Sequence, residues 1–209
     1  MLIVKKLRII NPRDQRTNFK ILKNISERTR GDLANASLGI ITHYASKKGY
    51  SGKFGIDYRM NTEGQAYTTK EGVFVNLNAI NQGYFNSTSD MNSILGHEAN
   101  TEYGHKSENL TEKYTFLKHS KVYLGQSQTD DFSKTSDKLK LAVAGNYGSF
   151  IYMAAVKGEI SFKEMDALKV SFNKLNTGNV EINYIDSQDV IVKYNNKYFK
   201  YDSYRDDPY

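Results

Sequence analysis

Residues able to do chemistry are concentrated in one run, Ile94-Leu95-Gly96-His97-Glu98-Ala99-Asn100-Thr101-Glu102-Tyr103-Gly104-His105. An imidazole followed directly by a carboxylate can bind a metal ion through one side chain and move a proton with the other. The chain has four histidines and no cysteine, so disulfides, thiolate zinc sites and cysteine nucleophiles are excluded. Any metal must be held by His43, His97, His105 and His119, by carboxylates or by other oxygen groups. On a continuous helix His97 and His105 stand ~12 Å apart along the axis, too far for one ion to bridge. If the helix stops at Gly104, the chain can turn and bring His105 back. Taken singly, these residues have plainer readings. A His-Glu pair is ordinarily the polar edge of an amphipathic helix, and Glu112 a first-turn carboxylate near the caps Asn109 and Thr111. His43 and His119 read as ordinary surface or half-buried histidines.

The elements that must position this run follow from periodicity. After Ser87-Thr88-Ser89-Asp90, apolar positions recur at three- and four-residue steps, predicting a helix from about Asp90 to Tyr103 that Gly104 ends. Upstream, Thr17 to Lys48 carries helical spacing interrupted by Gly31 and Gly39, which predicts two helices. From Gly52 the texture is that of a β-meander, with a turn at Asn61-Thr62-Glu63-Gly64. Its clearest strand is Gly72–Asn78, with Val73, Val75 and Leu77 on one face. Further helices are expected near Thr111–Tyr123, Ser136–Val156 and Ser161–Leu175. The tyrosine-rich stretch from Tyr184 to Tyr204 reads as sheet, because cross-strand aromatic pairs stabilise strands without a ligand.

A length of 209 residues favours a single α+β domain over residues 1–209. The longest apolar run, Phe150–Val156, is far shorter than the ~20 residues a bilayer span needs. Met1-Leu2-Ile3-Val4 runs straight into Lys5, Lys6 and Arg8, which is not a secretory-signal pattern and suits a domain excised from a longer exported protein. The net charge of +6 is scattered among acidic residues, so it reads mainly as a solvated surface. Compartment stays open.

The stretch from about Gly72 to Phe150 resembles the zincin-like metallopeptidase domains of bacterial polymorphic toxins and effectors. The resemblance rests on the strand Gly72-Val73-Phe74-Val75-Asn76-Leu77, the helix with Leu95-Gly96-His97-Glu98, the stretch Thr111-Glu112-Lys113-Tyr114-Thr115-Phe116-Leu117-Lys118-His119 and a distal stretch from Phe132 to Lys140. In that family a His-Glu-x-x-His helix binds zinc through both histidines, and its glutamate activates water. The pattern here is His97-Glu98-Ala99-Asn100-Thr101, so Thr101 stands at a vacated ligand position. What the resemblance implies is a zincin-like α+β fold in which the motif helix packs beside a small antiparallel or mixed sheet, followed by a C-terminal β-meander. It further implies zinc as cofactor, His97 and Glu112 as ligands, Glu98 as general base, and Val73, Val75 and Leu77 as a strand pairing with an extended peptide or protein substrate. A cognate immunity or inhibitor protein would be a partner. Because Thr101 cannot fill its position, the same resemblance implies impaired or lost peptidase activity and a rearranged or weak metal site. The alternatives are a non-catalytic binding module and, with less support, a basic nucleic-acid-binding module.

Overall fold

The computed structural model describes residues 30–58, 64–187 and 189–202. The first of the two expected upstream helices, the turn residues 61–63 and the tail beyond residue 202 lie outside the described residues. The chain divides into two compact units at the Ala99–Asn100 bond. Among the described residues no helix is long and apolar enough to cross a membrane.

The first unit holds α1 (Arg30–Lys47), β1 (Phe54–Asp57), β2 (Ala66–Thr68), β3 (Val73–Asn76), α2 (Leu77–Asn81) and α3 (Thr88–Ala99). Its sheet is mixed, in the order β1-β3-β2, with β1 parallel and β2 antiparallel to β3. The expected meander is therefore corrected: β2 takes the far side of β3, and β1 joins the near side in parallel. Val73 and Val75 point into the core from β3, as strand alternation requires, while Tyr67 stacks on Phe74 across β2 and β3 at 5.5 Å. The strand stops one residue short of Leu77. The Asn76 side chain accepts a hydrogen bond from the Asn78 backbone N–H at 2.8 Å and caps α2, so Leu77 begins a helix. The hydroxyl of Ser87 accepts from the Asp90 N–H at the start of α3, which packs against α1 and β2.

The second unit holds α4 (Phe116–Ser127), α5 (Asp130–Ser133), α6 (Asp137–Val156), α7 (Phe162–Leu175) and the strands β4 (Glu181–Ile185), β5 (Asp189–Tyr194) and β6 (Lys197–Asp202). The strands form the expected C-terminal antiparallel meander, β4-β5-β6. Asn195 and Asn196, both at positive φ, make its last hairpin turn. Side chains of Thr115, Ser136 and Ser161 cap α4, α6 and α7, and Ser161 with Glu164 completes a capping box. The 20-residue α6 is buried along most of its length. It lies close to the sheet because a Cβ on Gly148 would stand 2.5 Å from Val190 Cγ1, and one on Gly145 would stand 2.6 Å from the Tyr201 ring. The helix expected at Thr111–Tyr123 begins instead at Phe116, for reasons set by its cap.

Candidate metal centre

Helix α3 does not have the polar outer edge of a surface helix. From Asp90 to Ala99 every residue is buried, with His97 6% and Glu98 3% exposed. Buried ionisable side chains need partners, and Glu98 has one within its own unit. Thr68 Oγ1 donates to Glu98 Oε2 at 2.7 Å and lies 3.0 Å from the Glu98 carbonyl oxygen. One hydroxyl from β2 thus fixes both the carboxylate and the last turn of α3.

The helix ends at Ala99, four residues before the Tyr103 expected from periodicity. Asn100 is the cause. Its side-chain oxygen accepts from the backbone N–H groups of Glu102 at 2.6 Å and Tyr103 at 3.1 Å, an Asx turn that competes with continued helix. The chain then runs through successive turns, including Ser107 N–H to Gly104 O at 2.9 Å and Leu110 N–H to His105 O at 3.2 Å, with Asn109 at positive φ. Thr101 lies in this stretch, exposed and outside the helix. It does not share a helix face with His97.

Two contacts fix the turn run to α4. Lys118 Nζ donates to Glu108 O at 2.8 Å, and Tyr103 lies so close to α4 that a Cβ on Gly125 would stand 2.4 Å from Tyr103 Cβ. The start of α4 is set by Thr115, whose hydroxyl accepts from the Lys118 N–H, and by the Glu159 carboxylate. Glu159 accepts from Phe116 N–H at 3.1 Å and Leu117 N–H at 2.7 Å, a favourable charge at a helix N-terminus.

These constraints place His105 beside His119. Their Nε2 atoms are 3.0 Å apart and their rings meet edge to face. His119, 6% exposed, rests on Phe150 at 4.2 Å and on Tyr123 at 5.1 Å between centroids. Phe150 belongs to an apolar cluster with Phe116, Met153 and Ala154, and Tyr123 packs against it. The Tyr123 hydroxyl accepts from Asn146 Nδ2 at 3.1 Å, which steadies the ring beneath His119.

His97, His105 and His119 each offer one ring nitrogen, and the three nitrogens lie within 4.8 Å of one another. They are close enough to hold a metal ion. Two tetrahedral zinc ligands at ~2.0–2.1 Å from the ion are separated by ~3.3–3.4 Å, near the 3.0 Å between His105 and His119. The three-imidazole donor set suits a borderline ion.

Of the residues singled out from sequence, His97 and Glu98 are adjacent and buried at the end of α3. Glu112 is exposed and accepts from Asn109 Nδ2 at 3.1 Å, and it is not one of the three clustered donors. Val73 and Val75 are core residues of the central strand, and Leu77 is a core residue of α2. A substrate strand cannot add to β3, because β1 and β2 already occupy both of its edges. Sequence reasoning treated His119 as ordinary and gave His105 only a conditional place. The available signal was that three of the four histidines fall within residues 97–119. Comparison of the chain with family models, curated proteins and solved structures finds no match.

Proposed function

We propose that His97, His105 and His119 form the zinc site of a hydrolase whose substrate is a peptide or protein. The observation that carries the proposal is the convergence of three ring nitrogens within 4.8 Å on a buried helix end whose next residue is Glu98. Three protein ligands with an open position are the pattern of catalytic zinc, whereas structural sites use four. When bound, such an ion supplies Lewis acidity and lowers the pKa of water at the open position.

The chain's own residues would do the rest. Glu98, one residue after a ligand and oriented by the Thr68 hydroxyl, accepts the proton of the attacking water and returns it to the leaving amine. The aromatic bed of Tyr123 and Phe150 holds the His119 ring in place and shields that side from water. The vacated position at Thr101 does not argue for a dead enzyme on this reading, since His105 and His119 bring the donor number to three. The peptide class of substrate, the effector role and an immunity protein as partner rest on the resemblance to zincin-like toxin domains.

The test is zinc titration of the metal-stripped protein, followed by hydrolysis assays on unfolded protein substrates. The expected result is tight binding of one zinc per chain, with hydrolysis that a chelator abolishes and zinc restores. Glu98→Gln should bind zinc but not hydrolyse. Absence of stoichiometric zinc binding would refute the metal site, and tight binding without hydrolysis in any substrate class would refute the enzyme.

A further inference from the structure

The His119 ring has two nitrogens, and both are engaged on different sides. Nε2 faces His105 Nε2 at 3.0 Å, and Nδ1 lies 3.3 Å from the Tyr114 hydroxyl. Tyr123 and Phe150 also pack against the ring. A neutral imidazole carries one proton, and which nitrogen holds it is decided by what the other nitrogen does.

Local geometry puts Tyr114 there. Thr115 is the N-cap of α4, so Tyr114 occupies the residue before the cap and His119 the fourth residue of the helix. Side chains at these two positions fold onto one another across the first turn, as in a hydrophobic staple. Here the staple is polar at its tip. The Tyr114 ring meets the His119 ring edge to face at 5.7 Å and braces against Phe116 at 5.7 Å, which brings the hydroxyl to Nδ1.

We propose that Tyr114 is a positioning residue for the metal centre: its hydroxyl accepts the Nδ1 proton of His119 and so commits the Nε2 lone pair to the ion. The inference rests on the zinc-site reading above. If His119 binds through Nε2, the proton must sit on Nδ1, and the Tyr114 hydroxyl oxygen is within reach there. The opposite arrangement, with Tyr114 donating to Nδ1, would protonate Nε2 and block the site. Tyr114 does not act on substrate, because Nδ1 and Nε2 point to diverging sides of the ring and the hydroxyl stands on the side away from His105. Partners of this kind typically change metal affinity ~10–100-fold.

The test uses the full chain labelled with 15N-histidine, in wild type and in Tyr114→Phe, which keeps the ring and removes the hydroxyl. Cobalt and zinc affinities are measured by chelator competition, metal-free melting by circular dichroism, and the His119 tautomer by long-range 1H–15N correlation. Wild type with zinc should show His119 protonated at Nδ1 and coordinating through Nε2. Tyr114→Phe should melt within a degree or two of wild type without metal, yet bind both ions ~10–100-fold more weakly and show an altered cobalt d–d spectrum. Equal affinities in the two proteins would overturn the role of Tyr114 while leaving the metal site standing, and so would coordination of His119 through Nδ1 in wild type. If wild type binds neither ion, the site and this inference fall together.

Discussion

Replacing His105 separates a metal site from a mere cluster of histidines. Its side chain is half-buried in the turn run, with Nε2 at hydrogen-bonding distance, 3.0 Å, from His119 Nε2. In the metal-free protein, loss of that bond in His105→Ala should cost ~1 kcal/mol. The effect on metal should be much larger. Zinc sites with four protein ligands bind with ~10–16 kcal/mol, so one ligand is worth on the order of 3 kcal/mol, or ~10²-fold in affinity. At a free zinc concentration ~100 times the wild-type Kd, binding stabilises wild type by ~2.7 kcal/mol, and the weakened variant by only ~0.4 kcal/mol. For a chain of 209 residues each kcal/mol moves the melting temperature by ~2–4 °C. The zinc-induced shift should fall from ~5–10 °C to ~1–2 °C. The assay is thermal melting with and without zinc, paired with calorimetric titration of wild type, His105→Ala and Thr101→His. Thr101→His should match wild type, because position 101 is exposed and lies beyond the helix end. Tight binding by His105→Ala, or a gain in affinity only with Thr101→His, would refute the three-histidine arrangement.

Other perturbations test the parts that hold the site. Glu98→Gln keeps an acceptor for the Thr68 hydroxyl, so zinc affinity should change little while hydrolysis falls ~10²–10⁴-fold, as for loss of a general base; comparing kcat with zinc Kd checks this. Gly125→Ala forces a methyl group against Tyr103 and should cost ~1–3 kcal/mol by overpacking, with weaker zinc binding as the turn run is displaced; denaturant melts and titration read both. Glu159→Ala removes the carboxylate that accepts from Phe116 and Leu117 and should lower stability by ~0.5–2 kcal/mol, the usual range for a lost cap, measured by chemical denaturation.

Much of the fold was legible because local signals agreed with one another. Ser136 and Ser161 announce α6 and α7, and the alternation of Val180, Ile182, Val190 and Val192 announces the C-terminal meander. The first sheet was less legible, since alternation marks a strand but does not say whether its neighbour runs parallel. Val73 and Val75 would look the same in an edge strand or a central one. The start of α4 was also hidden, because Glu159 supplies half of its cap from 43 residues away along the chain.

The site itself turned on one residue. Periodicity carries a helix through Thr101 toward Tyr103, and on such a helix His97 and His105 can never share an ion. Asn100 breaks that continuation by giving its side-chain oxygen to two backbone N–H groups that follow it. An asparagine inside a helical pattern is weak evidence of a stop, worth a few tenths of a kcal/mol in propensity, so the pattern outweighed it in sequence. In the folded chain the balance is tipped by contacts that no local window contains, namely Tyr103 against Gly125 and Lys118 on the Glu108 carbonyl. Both hold the turn run against α4, and both bring His105 toward His119. With the helix stopping at Ala99, position 101 lies outside it, and the histidines whose ring nitrogens come within 4.8 Å of His97 belong to the turn run and to α4.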